Sequence, residues 1–226
     1  MTGIFITGTD TGIGKTVVAA GLVYALCRQG VATAALKPVA AGCAETPGGL
    51  RNDDAELLRS LLPQSPPYER VNPCALADAA APHLVAAEEG RTIDVDALAA
   101  AVRASARERF TVVEGAGGWR VPLDGGRDIA ALAKASGLPA LLVVGIRLGC
   151  LNHALLSAEA ILRDGVDLRG WVAVELDAAD TRRSAQVAAL DERLPAPRLG
   201  WVPVLDDPRP EEVAPYLVDL LALAIR

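Results

Sequence analysis

Ile4-Phe5-Ile6-Thr7-Gly8-Thr9-Asp10-Thr11-Gly12-Ile13-Gly14-Lys15-Thr16 joins an apolar run of strand type to a helical pattern through a glycine-rich loop. In such a loop the backbone N–H groups face phosphates, Lys15 reaches the outer phosphates, and the Thr16 hydroxyl ligates Mg²⁺. The strict motif has glycine where Thr9 stands, and Gly8 comes one residue early. The alternative, an ordinary turn with a lysine at the helix start, does not explain why this lysine lies directly between glycine and threonine. We therefore predict a loop that binds nucleotide phosphates.

The composition is that of an ordinary globular protein of one large domain, with 226 residues, 51% hydrophobic and 22% charged. Acidic residues outnumber basic ones by six, 28 against 22. We therefore expect neither nucleic acid nor an anionic membrane as a partner. The longest apolar stretch, 138–146, is far shorter than the roughly 20 residues of a membrane span. No basic leader precedes the first strand, and Cys27, Cys43, Cys74 and Cys150 form no CxxC pair. We expect a cytoplasmic protein with reduced thiols and no zinc site.

Strand-like and helix-like patterns alternate along most of the chain. Predicted strands cover 3–7, 32–38, 110–114, 140–145, 170–176 and 198–202, and predicted helices cover 15–29, 128–136, 152–164, 182–193 and 211–223. Apolar strands separated by helices favour a parallel sheet covered on both faces. Residues 39–109 break the alternation, with a glycine-rich loop and helical stretches at 53–62, 77–89 and 94–109. We predict an α/β fold, a single-domain three-layer sandwich of the P-loop NTPase type over 1–226. Its sheet is mostly parallel, and a helical insertion lies at about 39–109.

Charged side chains end two of the predicted strands, where ligands bind in open α/β sheets. Lys37 ends the second strand, and Glu114 ends the third, before Gly115-Ala116-Gly117-Gly118. A carboxylate at this place is the usual second support for Mg²⁺, and the glycines permit close approach of a ligand. The alternatives are a solvated lysine at a strand end and a glutamate that caps a helix or lies in a turn. Asp53 and Asp54 either supply a ligand or simply begin a helix, since Asp favours the first turn.

Two lysines, a threonine and one or two carboxylates around a triphosphate are typical of phosphoryl transfer. The sequence has no Ser/His/Asp arrangement and no cysteine with a partner histidine, and His83 and His153 stand near predicted helix starts, where a structural role is expected. The residues alone therefore predict an enzyme or a switch that binds Mg²⁺ and a nucleoside triphosphate, and they leave the acceptor open.

Five ordered segments resemble one family, dethiobiotin synthetase, the ATP-dependent cyclo-ligase of biotin synthesis. They are the phosphate loop, Lys37-Pro38-Val39, Gly49-Leu50-Arg51-Asn52 with Asp54-Ala55, Val113-Glu114-Gly115-Ala116-Gly117-Gly118-Trp119, and Leu148-Gly149-Cys150-Leu151-Asn152-His153-Ala154. Val71-Asn72-Pro73 and Gly170-Trp171-Val172-Ala173 are also similar. A phosphate loop alone is weak support, but five segments in the expected order, reaching to about residue 205, are specific.

The resemblance implies a homodimer that uses ATP and Mg²⁺ to join CO₂ to 7,8-diaminononanoate (7,8-diaminopelargonate) near the subunit interface. A carbamate forms, ATP phosphorylates it, and the second amine closes the ureido ring. The family pattern assigns catalysis to Lys37, Lys15 and Thr11, and Mg²⁺ to Thr16, Asp54 and Glu114. It assigns substrate contacts to Lys37, Ala41, Gly149, Cys150, Leu151 and Asn152, the last acting across the dimer. It assigns nucleotide contacts to Gly12, Ile13, Gly14, Lys15, Thr16, Val17, Asp54, Glu114, Gly115, Ala116, Gly117, Val174, Glu175, Pro203, Val204 and Leu205.

The chain departs from the family pattern at Ala41 and at Val174-Glu175, and Gly12 replaces a glutamate of some members, although glycine is also common there. Ala41 stands where members commonly carry Ser or Thr, so a hydroxyl contact to the substrate is lost unless backbone N–H groups replace it. Val174-Glu175 stands where relatives often have Asn-Asp. Valine cannot form the asparagine's hydrogen bond to adenine, which leaves the base preference open.

The main alternative is a phosphate-loop ATPase switch of the partitioning or cell-division type. Such proteins carry an extra lysine early in the loop, where this chain has Asp10, and often end in a basic membrane helix, which 211–226 does not resemble. An amidotransferase-associated ligase of cobalamin synthesis shares the loop, but its glutaminase domain does not fit this chain. A nucleotide sensor without catalysis is a further alternative if Lys37 and Glu114 are dispensable.

Overall fold

The computed structural model describes the backbone of residues 1–225 and the side chains of residues 1–222. The first half of the chain forms β1 (Gly3–Gly8), α1 (Lys15–Arg28), β2 (Thr33–Leu36), β3 (Val39–Ala40), β4 (Ala44–Thr46), β5 (Gly49–Arg51), α2 (Asp53–Ser60), α3 (Tyr68–Val71), β6 (Cys74–Ala75), α4 (Pro82–Glu88) and α5 (Val95–Glu108). The second half forms β7 (Phe110–Gly118), β8 (Pro122–Asp124), β9 (Arg127–Asp128), α6 (Ile129–Ser136), β10 (Ala140–Ile146), α7 (Cys150–Arg163), β11 (Leu168–Glu175), α8 (Arg183–Asp191), β12 (Arg198–Val202), α9 (Pro210–Val213), a 3-10 turn (Ala214–Leu217) and α10 (Val218–Ile225).

A six-stranded sheet has the order β12-β11-β10-β1-β7-β2, and every neighbouring pair is parallel. The six predicted strands form this sheet, so the predicted α/β sandwich is confirmed. Because all carboxyl ends of a parallel sheet lie at one edge, the loop after β1 lies beside the ends of β7 and β10. The phosphate loop is thereby set at the centre of that edge, and β2 forms one side of the sheet.

The alternation of side chains along the strands divides the apolar core into two halves. Phe5 belongs to the half that also contains residues of α5, α6, α7 and α8. Ile4 and Ile6 belong to the half that contains residues of α1, α2, α3 and α9. Burial on both faces explains why these strands are continuous apolar runs in the sequence. In residues 1–225, no helix combines the length and apolar character needed to cross a membrane.

Two predicted helices were wrong in extent. The predicted helix 211–223 is divided into α9, a 3-10 turn and α10, because Pro215 has no N–H for the helical ladder. The predicted helix 77–89 begins only at Pro82, at a position in the first turn that suits proline. Between β2 and β7 the chain also forms two small sheets, a parallel pair of β3 with β6 and an antiparallel pair of β4 with β5. The sequence patterns did not indicate these short strands.

Candidate active site

The loop between β1 and α1 has the geometry of an anion cradle. Gly12 and Gly14 have φ angles of +70° and +92°, a left-handed conformation that residues with a Cβ disfavour. Gly14 is the N-cap of α1, so the first N–H groups of the helix lack partners within it. Lys15 begins the helix, is buried, and donates from Nζ to the Asp10 carbonyl at 2.6 Å. An anion in this loop therefore meets backbone N–H groups and one lysine.

Burial disfavours the charged form of Lys15. Burial lowers the pKa of Lys15 to about 8, against the opposing effect of Glu114 and with a further lowering by the positive charge of Lys37. A bound phosphate supplies the negative charge that the ammonium lacks. Binding of an anion in the loop is therefore expected to raise the pKa of Lys15.

Lys37 follows β2 and lies between two carboxylates. Its Nζ donates to Asp54 Oδ2 at 2.6 Å and to Glu114 Oε1 at 2.7 Å. Glu114 Oε1 also accepts from Thr16 Oγ1 at 2.8 Å. Asp54 lies in the first turn of α2, which Asn52 caps, so it is both a helix-start acid and a member of this cluster. The strand order brings these residues together, since β7 lies between β1 and β2.

Burial excludes the simpler interpretations of Lys37 and Glu114. The side chain of Lys37 is 8% exposed and that of Glu114 is 1% exposed, so neither is a solvated residue at a strand end. Glu114 lies within β7, which continues to Gly118, and does not cap a turn. Burial lowers the pKa of Lys37, but the charges of Glu114 and Asp54 outweigh it, and the net pKa is raised. Lys37 is therefore a fixed cation at neutral pH.

The oxygens around Thr16 fit a magnesium ion held together with a nucleotide. Glu114 Oε2 is buried without a hydrogen-bond partner, which leaves the carboxylate a free acceptor beside the Thr16 hydroxyl. In the part of the chain that the structure describes, no group of three or more His, Cys, Asp or Glu side chains could hold a metal by itself. Mg²⁺ usually binds one or two carboxylates plus substrate phosphates and water, so two carboxylates and a hydroxyl suit it.

A cavity of about 800 Å³ joins the phosphate loop to Lys37. The predicted site residues that line it are Thr11, Gly12, Gly14, Lys15, Thr16, Val17, Lys37, Ala41, Asp54, Glu114, Gly115, Ala116 and Gly117. The sequence did not indicate the remaining wall, which is apolar and consists of Ala79, Ala80, Ala81, Pro82, Val121 and Pro122. Alanine side chains have no functional group that would indicate a binding site in the sequence, and the prolines indicate only where a helix or strand begins or ends. A wall of this kind beside charged groups suits a molecule with an aliphatic chain and a polar head.

The residues predicted to contact the nucleotide base do not line this cavity. Val174 is buried and packs against the loop, since a Cβ on Gly14 would lie 2.8 Å from Val174 Cγ1. Glu175 accepts from Trp201 Nε1 at 2.9 Å and pairs with Arg183 at 3.4 Å. Pro203, Val204 and Leu205 follow β12 at the same edge of the sheet, and Ile13 is buried beneath the loop. The contacts of these residues with a nucleotide stay predictions.

The predicted substrate residues at the start of α7 also lie outside the cavity wall. Gly149 is the N-cap of α7 with a φ angle of +95°, and Cys150 is buried. Leu151 is half-buried, and Asn152 is exposed on the first turn. These four residues are not part of the wall that contains Lys37, and their role stays a prediction.

The whole chain aligns with dethiobiotin synthetases. An ATP-dependent dethiobiotin synthetase of Pseudomonas paraeruginosa (strain DSM 24068 / PA7) is 54% identical over 227 residues, covering 100% of this chain and 99% of the relative. The enzyme of Chromohalobacter salexigens is 48% identical over 233 residues, covering 99% and 98%. This chain belongs to the dethiobiotin synthetase family. A family model described as an AAA domain also matches residues 2–212. The resemblance seen in the five segments is confirmed, and with it the prediction of an ATP-dependent ligase that forms C–N bonds.

This member of the dethiobiotin synthetase family shares its fold with other phosphate-loop ATPases. A chain of the MinC:MinD cell division protein complex of Aquifex aeolicus matches with a TM-score of 0.65 at 15% identity, covering 100% of this chain and 96% of that one. A ParA family ATPase from Chlorobium tepidum TLS matches with a TM-score of 0.60 at 12% identity, covering both chains fully. At identities this low, the similarity shows only that the chains share a fold. The switch ATPase is therefore only a distant fold relation of the dethiobiotin synthetase family.

Proposed function

We propose that this protein converts 7,8-diaminononanoate, CO₂ and ATP into dethiobiotin, ADP and phosphate in the cytoplasm. The observation that carries the proposal is the buried cation of Lys37 in the wall of the cavity that contains the phosphate loop. The loop alone accounts for nucleotide binding. A second fixed cation beside an apolar wall is what a short-lived anionic acceptor on an aliphatic chain requires. The family supplies the identity of that acceptor.

The proposed reaction has three steps. One amine of the diamine attacks CO₂ and loses a proton, which gives a carbamate anion. A carbamate oxygen then attacks the γ-phosphorus of ATP, ADP leaves, and a carbamic-phosphoric anhydride results. The second amine attacks the carbonyl carbon of the anhydride and gives up a proton to the departing phosphate, which leaves with the electron pair of the broken C–O bond, and the ureido ring closes.

Two lysines are proposed to stabilise the negative charges of these steps, each at a different group. Lys37 binds the carbamate, and its raised pKa keeps it a cation that does not act as a base. Lys15 binds the outer phosphates and follows the transferring γ-phosphoryl group, whose charge spreads over its oxygens. Thr11 lines the same cavity and is proposed to contact the reacting groups.

Mg²⁺ is proposed to bind Thr16, Asp54 and Glu114 together with the nucleotide. When bound, the ion neutralises charge on the β- and γ-phosphates. The unpartnered Glu114 Oε2 and the adjacent Thr16 hydroxyl support this assignment. The two carboxylates also keep Lys37 charged and fixed, so the same residues serve the nucleotide and the acceptor.

We infer a homodimer in which residues 149–152 of one protomer contact the substrate bound by its partner. The N–H groups at the start of α7 suit the substrate's carboxylate. Nearby Leu148 is 97% exposed and Leu156 is 57% exposed, and a subunit interface would bury this apolar surface. Ala41 lines the cavity without a hydroxyl, so contacts with the substrate there are proposed to come from backbone N–H groups.

The test is a product assay by mass spectrometry. The purified protein is mixed with 7,8-diaminononanoate, bicarbonate and Mg²⁺, with ATP, CTP or GTP in parallel. Dethiobiotin that depends on triphosphate supports the proposal, and the relative rates report the base preference that Val174 leaves open. Folded protein that binds triphosphate and yields no dethiobiotin with any nucleotide refutes it. Lys37→Ala serves as the matched variant, with nucleotide binding largely kept and turnover lost.

A further inference from the structure

A buried chain of hydrogen bonds connects the start of α2 to the backbone of Lys37. The Tyr68 hydroxyl accepts from the Asn52 N–H at 2.8 Å and donates to Asn72 Oδ1 at 2.9 Å. Asn72 Nδ2 in turn donates to the Lys37 carbonyl at 2.7 Å. Tyr68 is 5% exposed and Asn72 is 2% exposed, so water does not compete for these bonds. Burial raises the pKa of Tyr68, which keeps its hydroxyl protonated as the donor.

Both ends of this series of hydrogen bonds lie next to the ion pair of Lys37 with Asp54. At one end, Asn52 caps α2 and thereby fixes the first turn, where Asp54 lies. At the other end, the main chain of Lys37 is held twice, since its N–H also donates to the Val71 carbonyl at 2.8 Å. The side chains of Lys37 and Asp54 then meet at 2.6 Å. The hydrogen bonds and the ion pair thus form a closed circuit across β2, α2 and α3.

We propose that Tyr68 and Asn72 are positioning residues that set the separation of Lys37 and Asp54 without touching the substrate. The inference rests on the proposed function for the roles of Lys37 and Asp54. An apolar pair at these positions would leave the Asn52 N–H and the Lys37 carbonyl without their partners, so the polar side chains hold both segments in place. Reacting groups tolerate only small displacements, so the circuit matters for turnover more than for nucleotide binding.

The principal variant is Tyr68→Phe, which deletes one hydroxyl and keeps the ring that lies 4.2 Å from the Arg51 guanidinium. We expect kcat to fall about tenfold, with the KM for ATP changed by less than about twofold. Tyr24→Phe, in α1 and outside this circuit, is the matched control and should leave both constants unchanged. The double variant Tyr68→Phe/Asn72→Leu removes both partners of the Tyr68–Asn72 bond, so no buried side-chain group of that bond is left unpaired, and circular dichroism verifies that it is folded.

A second readout does not depend on turnover. Limited acylation of the protein, followed by peptide mass spectrometry, gives the reactivity of Lys37 relative to Lys15 in the same molecule. In Tyr68→Phe we expect this ratio to rise about fivefold, because a loosened ion pair exposes the Lys37 amine. If the wild-type protein makes no dethiobiotin, the proposed function fails, while the acylation ratio still tests the positioning. An unchanged ratio, or an unchanged kcat in a folded double variant, overturns the inference.

Discussion

Replacing Lys37 with methionine removes the cation of the buried cluster and keeps an apolar stem. Glu114, whose side chain is 1% exposed, then loses its counter-charge and keeps the hydrogen bond from Thr16. The Asp54 side chain is 41% exposed, so water screens its charge, and its ion pair with Lys37 contributes less than about 1 kcal/mol to stability. Removing one partner of a buried ion pair costs about 3–5 kcal/mol, and we expect the lower value of about 3 because the Thr16 bond remains. This corresponds to about 6–12 °C in Tm for a chain of this size.

The measurement is urea and thermal unfolding near neutral pH, without nucleotide or Mg²⁺. Lys37→Met/Glu114→Gln removes both charges, so we expect it to recover about 1.5 kcal/mol or more of the loss. Lys134→Met, at an exposed position of α6, is the matched control and should change the free energy of unfolding by less than about 0.5 kcal/mol.

The pH dependence gives a further check. Burial lowers the pKa of Lys37, but Glu114 and Asp54 raise it more, so the folded pKa lies above the ordinary 10.5. The stabilisation is therefore complete below pH 10.5 and is lost as the pH rises through the folded pKa. The difference in free energy of unfolding between wild type and Lys37→Met should therefore stay constant from neutral pH to pH 10.5. A single variant as stable as the wild type, or a double variant no more stable than the single, refutes the reasoning.

Three further predictions concern the nucleotide half of the site. With the pKa of Lys15 at about 8, ATP binding should take up about 0.8 proton near pH 8.5 and about 0.1 near pH 7, and calorimetry in buffers of different ionisation enthalpy measures this. Lys15→Arg should show no uptake. Gly14→Ala should weaken ATP binding at least about tenfold, because it combines a positive φ angle with a contact to Val174. Val174→Ala should restore part of that loss in a fluorescence titration. Glu114→Gln should weaken Mg²⁺-dependent ATP binding, and an unchanged Mg²⁺ dependence would count against its role as a ligand.

Much of the fold could be predicted because its signals are local. The apolar run of β1, the glycine-rich loop and Lys15 are consecutive, and each strand of the sheet is continuously apolar. β7 was predicted to end at Glu114 but continues to Gly118, which pairs with Gly8 after a shift of register. Four small residues carry no strand propensity, so only the neighbouring strand reveals that extension.

The rest depends on contacts between distant residues. Lys37 and Glu114 are 77 positions apart, and no local pattern indicates that they share a hydrogen bond. The sequence left Asp54 open between helix start and ligand, and the packing of α2 against β2 brings the Asp54 carboxylate to Lys37. Asn72 was noted only as part of a family-like segment, because its hydrogen bond to the Lys37 carbonyl spans 35 positions.

The location of β2 at the border of the sheet affects which parts of the site can change in sequence without disturbing the core. The phosphate loop and Glu114 belong to interior strands, β1 and β7, whose replacement would disturb both halves of the core. Lys37 and the cavity wall at residues 79–82 belong to the outermost strand and the segment that follows it. Under the proposed roles, changes along this border alter the acceptor side and the Asp54 carboxylate, while the phosphate loop and Glu114 stay in place. The same architecture occurs in chains that are only 12–15% identical to this one.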